Sequence, residues 1–267
     1  MATLTFRQLH RPGQPLVAPN PWDVGSAVLL TGAGFTALAT TSSGVAFGLG
    51  RPDGSLRRDE SLGVHRAMCD ATTVPVSADL EGGFGHTPEE VADTVTRAVE
   101  IGLAGCSIED HTGDPADPLY PPSLATERVA AAVEAARRAD PEFVLTARFE
   151  GLLWTDADLD AAIAALVAYE AAGADVLFAP GLTEVADIAT LCESVEAPVS
   201  VGLEMARPPS VAELADAGVA RITVGARFVR LAYGALLDAA AELRDLGTFA
   251  STSGLIPYEE LEAHFDG

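Results

Sequence analysis

The stretch Val74-Pro-Val-Ser-Ala-Asp-Leu-Glu-Gly-Gly-Phe-Gly85 joins an apolar run to two carboxylates and then to three glycines. The apolar run is typical of a buried β-strand. Alternation along an extended backbone would place Asp79 and Glu81 on one side of it. Two carboxylates held so close repel each other unless a cation or a proton lies between them. The glycines would let a ligand approach the backbone beside the acids. The pattern therefore predicts a divalent-metal site at a strand end.

Seven similar runs recur along the chain, with Ala-rich segments of helical periodicity between them. The eight predicted strands are Leu16–Ala18, Phe35–Thr40, Val74–Ala78, Gly105–Ile108, Val144–Ala147, Val176–Phe178, Val199–Val201 and Ile222–Val224. The predicted helices are Ser26–Thr31, Asp59–Ala71, Pro88–Ile101, Ala125–Arg138, Ala157–Ala172, Glu184–Ser194 and Ser210–Ala217. This alternation predicts an α/β protein with a (β/α)8 TIM-type barrel. A doubly wound sheet is less favoured, because no Gly-x-Gly-x-x-Gly turn follows the first strand.

Two segments depart from the alternation. Asp110–Ser123 is rich in Pro and Asp and long for a strand-to-helix connection, which predicts an active-site lid. Phe228–Leu246 predicts a long apolar helix after the eighth strand, and Tyr258–Phe265 an amphipathic stretch. We expect residues 1–267 to form a single barrel domain with residues 228–267 as a C-terminal helical extension. A helix this apolar should pack on another surface, within its own subunit or on a neighbour.

Composition limits the classes of function. A net charge of −23 disfavours nucleic-acid partners. All 16 basic residues are arginines, which excludes a Schiff-base lysine. The 3 scattered cysteines indicate reduced thiols rather than a disulfide framework. The N-terminus lacks a signal-peptide core and no apolar run is of membrane-spanning length, so we expect a cytoplasmic protein without membrane partners.

Polar residues follow most of the predicted strands. In a barrel these strand ends meet at one rim, where active sites lie. The residues are Asn20, Asp23, Thr41, Ser42, Ser43, Gly44, Asp79, Glu81, Glu109, Asp110, Arg148, Glu150, Glu204 and Arg227. The acids suit Mg²⁺ or Mn²⁺, which prefer oxygen ligands. Arg148 is predicted to bind a substrate carboxylate, and the turn at Ser43 and Gly44 to donate hydrogen bonds to an anion.

Less specific interpretations remain open. Asp79 alone would suit a strand-end cap, and the acids around Arg148 would suit a buried ion-pair network. His86 and His111 lie in loops beside the acids, where they are either acid/base groups or solvated histidines. His65 is predicted to lie on a helix surface.

An ordered set of motifs resembles the isocitrate lyase/phosphoenolpyruvate mutase superfamily, in its phosphonomutase-like and methylisocitrate lyase-like branch. The motifs are Asn20-Pro-Trp-Asp23, Thr40-Thr-Ser-Ser-Gly44, Pro52-Asp-Gly54, Ser77-Ala-Asp-Leu-Glu-Gly-Gly-Phe-Gly85, Ile108-Glu-Asp110, Thr146-Ala-Arg148 and Gly218-Val-Ala-Arg-Ile-Thr-Val-Gly225. The resemblance implies a Mg²⁺-dependent barrel that makes or breaks C–C or P–C bonds through enolate-like intermediates. It also implies homodimers or homotetramers in which the last barrel helix is exchanged between subunits.

The resemblance also implies roles for particular residues. It implies that Asp79 binds the metal directly and that Asp53, Glu81 and Glu109 hold it mainly through waters. It also implies that the substrate is bound by Ser43, Gly44, Val45 and Arg148. We expect Arg148 and Glu109 to take part in catalysis, with His111 or Tyr120 delivering a proton from the lid.

The lid departs from the superfamily pattern. It has neither the Cys-containing motif of the lyases nor the Lys-x-Asn-Ser motif of the phosphonate mutases and hydrolases. Ala179 and Pro180 stand where the mutases have a His. Cleavage of isocitrate or methylisocitrate and rearrangement of phosphonopyruvate are therefore disfavoured.

These residues predict a C–C bond lyase or decarboxylase that acts on a small α-keto or α-hydroxy carboxylate. Such a reaction needs the fewest added groups, because the metal accepts electron density and a water can deliver the proton. A C–C hydrolase, a phosphonomutase and a non-catalytic binder of metal and dicarboxylate remain as alternatives.

Overall fold

Eight parallel strands form the centre of the computed structural model, which describes residues 4–265. They are β1 (Leu16–Val17), β2 (Leu38–Ala39), β3 (Val76–Asp79), β4 (Gly105–Glu109), β5 (Val144–Arg148), β6 (Val176–Phe178), β7 (Val199–Gly202) and β8 (Arg221–Thr223). Their order in the sheet is β1-β8-β7-β6-β5-β4-β3-β2. The two end strands approach each other where the Ala39 N–H donates to the Pro19 carbonyl at 3.1 Å. The predicted (β/α)8 fold is confirmed.

Helices separate the strands along the chain. They are α1 (Val24–Gly32), α2 (Ser42–Gly48), α3 (Arg58–Ala71), α4 (Pro88–Glu100), α5 (Pro122–Ala139), α6 (Gly151–Trp154), α7 (Leu159–Ala171), α8 (Val185–Ser194), α9 (Val211–Asp216), α10 (Arg227–Leu246) and α11 (Tyr258–Glu262). Short 3-10 helices span Arg7–Leu9 and Ala250–Thr252. The sequence did not predict α2 or α6. None of the helices within residues 4–265 combines the length and apolar character that a membrane span requires.

Side-chain caps fix several helix starts. Thr87 accepts a hydrogen bond from the Glu90 N–H at 3.3 Å, and Pro88 occupies the first turn of α4. Asp158 accepts from the Ala161 N–H at 3.0 Å and begins α7 two residues later than the predicted helix. These caps orient the helices that cover the outside of the barrel.

The inside of the barrel is apolar at only one end. At the N-terminal ends of the strands, Phe6, Leu16, Val144 and Val176 pack together. Closer to the opposite rim, strand residues that line the central cavity carry hydroxyl groups, among them Ser107, Thr146, Ser200 and Thr223. The largest cluster of buried apolar side chains instead includes outward strand residues and the helices packed on them.

Asn20 ties the closing strands together at the rim. Its side-chain Nδ2 donates to the Thr40 carbonyl at 2.7 Å. Its Oδ1 accepts from the Val224 and Gly225 N–H groups at 2.7 and 3.0 Å. Asn20 is buried, so this one amide satisfies three backbone groups at the partly buried rim where the barrel closes.

Asn20→Ala is expected to lower the free energy of unfolding by about 1–3 kcal/mol, because two partly buried amide donors and one buried carbonyl lose their partner. Urea denaturation measures the change. Thr190→Ala, which removes one hydroxyl-to-carbonyl bond on the exposed face of α8, is the control and should change stability by less than about 0.5 kcal/mol. Equal effects of the two variants would contradict the role given to Asn20.

Candidate active site

Asp79 ends β3 and is held by four donor groups. Its Oδ2 accepts from the backbone N–H and the hydroxyl of Ser42 at 3.2 and 3.0 Å. Its Oδ1 accepts from the Ser107 hydroxyl and the Glu81 N–H, both at 3.3 Å. Burial raises the pKa of Asp79, but the Arg148 charge and these hydrogen bonds outweigh burial and hold the pKa below its usual value. Asp79 is thus an ionised, oriented carboxylate.

Arg148 ends β5 and contacts three carboxylates. Its Nε donates to Glu150 Oε1, and its Nη1 lies 3.3 Å from Glu109 Oε2 and 3.6 Å from Asp79 Oδ2. The pairing of β4 with β5 places Glu109 opposite Arg148. Burial lowers the pKa of the guanidinium, but the three acids outweigh burial and raise it. The structure thus brings together three of the predicted site residues, Asp79, Glu109 and Arg148.

The remaining predicted acids are hard to ionise. Burial, followed by repulsion from Asp79 and Asp53, raises the pKa of Glu81 to about 7. Burial and the Asp79 charge also raise the pKa of Asp53. Burial raises the pKa of Glu109 well above its usual value in spite of Arg148. The raised pKa values show that these acids lack enough nearby positive charge to stabilise their ionised forms.

The local backbone differs from the prediction at Glu81. The strand ends at Asp79, and Glu81 adopts a left-handed conformation with φ of 51°. Its position beside Asp79 therefore comes from a turn rather than from strand alternation. The glycines that follow were predicted to leave room for a ligand, but a Cβ on Gly82 would lie 2.9 Å from the His111 carbonyl and one on Gly85 2.3 Å from Glu90 Cβ. The space beside these two glycines is occupied by the protein itself.

The predicted site residues line two neighbouring depressions. The first, here called the barrel cavity, has a volume of about 250 Å³ and includes Ser43, Asp53, Asp79 and Arg148 in its wall. The second, here called the lid pocket, is lined by the following residues, among others: Glu81, Glu109, His86, His111 and Tyr120. The Arg148–Glu109 ion pair joins the walls of the two.

A divalent cation fits this site by charge. Among residues 4–265, no three His, Cys, Asp or Glu side chains converge closely enough to ligate one ion directly. Asp79, ionised and lining the barrel cavity, is suited to direct contact. Asp53, Glu81 and Glu109, whose raised pKa values reflect burial and mutual repulsion, would then reach the ion through waters. The metal roles of these four residues remain predictions.

The predicted substrate turn forms the first residues of α2. The Ser43 hydroxyl lies 3.0 Å from that of Thr41 and lines the barrel cavity. Gly44 is packed so closely that a Cβ would lie 2.6 Å from Thr41 Cγ2. The Val45 N–H already donates to the Thr41 carbonyl at 3.0 Å, and its side chain is buried. Of the three residues, Ser43 is the one whose side chain faces the cavity.

The predicted lid is a small closed hairpin over residues 110–121. His111 and Leu119 form an antiparallel bridge, and Thr112 donates its N–H to the Pro118 carbonyl at 2.9 Å. At its base Asp110 is buried and accepts from the Tyr169 hydroxyl at 2.7 Å and the Glu150 N–H at 2.8 Å. These contacts give Asp110 a structural role.

His111 lies where it can handle a proton. Its Nδ1 accepts from the Gly113 N–H at 3.2 Å, which assigns the proton of the neutral ring to Nε2. That Nε2 is buried and has no hydrogen-bond partner among the described residues. The ring lies 4.5 Å from the Trp154 ring, and burial lowers its pKa. The catalytic role of His111 remains a prediction.

The sequence did not predict the contribution of some residues to the site, or predicted it at the wrong place in the fold. Glu150, noted only as a polar strand-end residue, is the carboxylate that Arg148 Nε contacts. His65, predicted on a helix surface, is fully buried, and its Nε2 lies 2.8 Å from the Thr40 hydroxyl that accepts the Asp79 N–H. Arg221 lines the barrel cavity, one residue before the predicted start of its strand.

The family model for phosphoenolpyruvate phosphomutase matches residues 6–244. The chain belongs to this family. The 2-methylisocitrate lyase of Escherichia coli is 34% identical over 209 residues, which cover 72% of this chain and 69% of that enzyme. The resemblance to the isocitrate lyase/phosphoenolpyruvate mutase superfamily is therefore confirmed.

Solved structures extend the comparison. A Burkholderia cenocepacia protein assigned as a lyase or mutase is 48% identical, with a TM-score of 0.95 and coverage of 98% of this chain and 95% of that one. An oxaloacetate acetylhydrolase, solved with its product oxalate, is 26% identical with a TM-score of 0.86 and coverage of 97% and 92%. This family member thus has enzyme relatives that include a lyase and a hydrolase, and likeness alone does not select the reaction.

Glu81→Gln is expected to change how stability depends on pH in metal-free protein. With a pKa of about 7 in the folded protein, Glu81 keeps a proton that the unfolded chain releases near pH 4.5. Wild-type stability should therefore fall as pH rises through this interval, and the variant should be more stable by about 1–2 kcal/mol at pH 8. Urea denaturation from pH 5 to 8 measures this. Parallel curves for the two proteins would contradict the shift.

Proposed function

We propose that the protein is a Mg²⁺-dependent C–C bond lyase or decarboxylase that acts on a small α-keto or α-hydroxy carboxylate through an enolate-like intermediate. The observation that carries the proposal is the convergence of Asp79, Arg148 and Ser43 on the barrel cavity at the C-terminal ends of the strands. The cavity volume of about 250 Å³ suits a small substrate. Similarity to the 2-methylisocitrate lyase of Escherichia coli supports lyase chemistry.

Each residue has a distinct part in this proposal. Asp79 would hold the ion, with Asp53, Glu81 and Glu109 contacting its waters. A bound Mg²⁺ supplies positive charge that stabilises electron density developing on the carbonyl and carboxylate oxygens of the substrate.

The substrate carboxylate would be oriented by Arg148 and Ser43. The shortest contacts of Arg148 with its three acids use Nε and Nη1, and among the described residues its Nη2 donates no hydrogen bond. That nitrogen remains to donate to a substrate oxygen. The Ser43 hydroxyl, on the cavity wall, supplies a second donor, and Gly44 and Val45 hold it by forming the closely packed start of α2.

A proton has to be delivered to the carbon released by bond cleavage. His111 is the proposed donor, since its Nε2 is buried and unpartnered in the described structure beside the acids of the lid pocket. Tyr120 is a less favourable donor, because its hydroxyl already contacts His86 Nδ1 at 2.7 Å. With either residue, the proton donor would lie in the lid.

Hydrolysis of a C–C bond is the second candidate. It is favoured by the similarity to oxaloacetate acetylhydrolase over 97% of this chain. The same cavity residues would then bind the dicarboxylate. A water would attack the keto carbon of the substrate, the C–C bond would break, and the proton lost by the water would balance the one taken up by the departing carbon. Phosphonomutase activity and metal-dependent binding without turnover are further outcomes of the experiment below.

Asp79→Asn is expected to weaken Mg²⁺-dependent binding of oxalate, a mimic of an enolate, by more than about 100-fold, since it removes the one ionised carboxylate suited to direct metal contact. Isothermal titration calorimetry with and without Mg²⁺ measures this. Asp59→Asn, at a side chain that is 80% exposed on α3, is the control and should bind oxalate as wild type does. Unchanged affinity in Asp79→Asn would overturn the metal assignment.

Turnover is tested on a panel of oxaloacetate, acylpyruvates, methylisocitrate and phosphonopyruvate with Mg²⁺. Pyruvate with carbon dioxide from oxaloacetate, or pyruvate with succinate from methylisocitrate, supports the proposal. Oxalate with acetate from oxaloacetate, or pyruvate with a carboxylic acid from an acylpyruvate, supports the hydrolase. Rearranged phosphonopyruvate would identify a mutase. Binding of a member without turnover of any would identify a non-catalytic binder.

We further propose that the protein is a homodimer or homotetramer in which α10 packs on a neighbouring subunit by helix exchange. Val229 is the one buried residue of α10, so this helix packs little on its own barrel. Its described leucines Leu231, Leu236, Leu237 and Leu246 are between 64% and 73% exposed. These leucines point to several sides of the helix, and exposed apolar surface of this kind marks an interface.

The double variant Leu236→Glu/Leu237→Glu is expected to shift wild-type dimers or tetramers to monomers, because it places charges in the proposed apolar interface. Sedimentation velocity measures the change. Val167→Glu, at a single exposed apolar residue on α7, is the control and should keep the wild-type assembly. A monomeric wild-type protein would overturn the proposal.

A further inference from the structure

Arg221 reaches across the inside of the barrel. It is the first residue of β8, opposite Leu16 of β1 and Ser200 of β7. Its Nη1 donates to the Thr146 hydroxyl on β5 at 3.2 Å. The residue is 5% exposed and lines the barrel cavity that also holds Asp79 and Arg148. The guanidinium therefore lies deep in the barrel cavity, below the proposed metal site.

No acid in the described structure lies within salt-bridge distance of this cation, and Asp79 attracts it only from farther away. Within residues 4–265 Arg221 forms no salt bridge, and its Nε is buried without a hydrogen-bond partner. Arg148, by contrast, contacts three carboxylates. Burial lowers the pKa of Arg221 to about 10, so the group remains charged at neutral pH. A buried cation without a partner is unfavourable unless something else occupies the space beside it.

The surroundings of Arg221 suit a polar ligand rather than packed side chains. Barrels usually fill this layer with branched apolar residues. Here the hydroxyls of Ser107, Thr146, Ser200 and Thr223 line the cavity. Hydroxyls can donate hydrogen bonds, which a carboxylate held by Arg221 would accept.

We propose that Arg221 binds a second carboxylate of the substrate, at the floor of the barrel cavity, and that the site thereby selects dicarboxylates over monocarboxylates. The proposal rests on the proposed function and names its substrate class. A guanidinium with free donors matches a carboxylate in two parallel hydrogen bonds. Arg148 is already balanced by acids, whereas Arg221 has a charge that a second carboxylate would balance.

The test compares two ligands that differ by one carboxylate, 3,3-difluorooxaloacetate and 3,3-difluoropyruvate, with oxalate as a third probe. Calorimetry is performed with Mg²⁺ on wild type, Arg221→Met and Arg221→Lys. Wild type is expected to bind the diacid at least about tenfold tighter than the monoacid, as one good charged contact allows. Arg221→Met should lose most of this preference, Arg221→Lys should keep part of it, and oxalate affinity should change by less than about threefold.

Thermal unfolding separates ligand binding from a structural role. Because Arg221 has no ionic partner in the described structure, Arg221→Met should keep or raise the melting temperature, whereas an arginine that holds the fold together would lower it when removed. Ile222→Val, the outward-facing neighbour on β8, is the control and should keep the wild-type preference for the diacid.

Several results would overturn the inference. They are an equal affinity of wild type for diacid and monoacid, a preserved preference in Arg221→Met, and a melting temperature of Arg221→Met well below that of Ile222→Val together with a general loss of binding. If wild type fails to bind oxalate with Mg²⁺, the proposed function is overturned. In that case, a preference for the diacid that still depends on Arg221 would support the role of Arg221 alone. If wild type also shows no preference for the diacid, both the proposed function and the role of Arg221 are overturned.

Discussion

The acids of the site depend on the guanidinium of Arg148. Three carboxylates from three places in the chain, Asp79, Glu109 and Glu150, contact it in a buried space where their mutual repulsion would otherwise be large. Its charge acts unequally on them. The pKa of Asp79 falls, because hydrogen bonds from Ser42 and Glu81 add to the attraction, while burial keeps the pKa of Glu109 high. The same cation thus stands beside one carboxylate whose pKa is lowered and another whose pKa is raised.

The same ion pairs connect the barrel to the lid. Glu150, held by Arg148, accepts from the Trp154 Nε1 at 2.9 Å, and the Trp154 ring lies 4.5 Å from that of His111. The Glu150 N–H also donates to Asp110 at the base of the lid. The position of the proposed proton donor is therefore coupled to that of the carboxylates around Arg148, so the lid and this acid cluster form one unit.

Local patterns in the sequence predicted the repeating elements, because strand alternation and helix periodicity are local properties. They predicted the rim acids for the same reason, since strand ends in a barrel share one edge. They failed where position depends on tertiary contact. Glu81 sits in a left-handed turn, and His65 is buried through contacts with Thr40 and Ser61. Arg221 carried a usable signal, a charged residue immediately before a predicted strand, but its isolation from acids follows only from how the barrel closes.

Because serine and threonine line the barrel interior, the positions that shape the cavity differ from the positions that stabilise the fold. The apolar packing that supports the fold forms a ring outside the strands and a plug at one end, so the hydroxyls within contribute little to it. Exchanging Ser107, Thr146 or Ser200 for another small residue would reshape the chamber while leaving that ring intact. Selection on the chemistry and selection on stability then act on separate positions, which gives one scaffold room to acquire new substrates at little expense to folding.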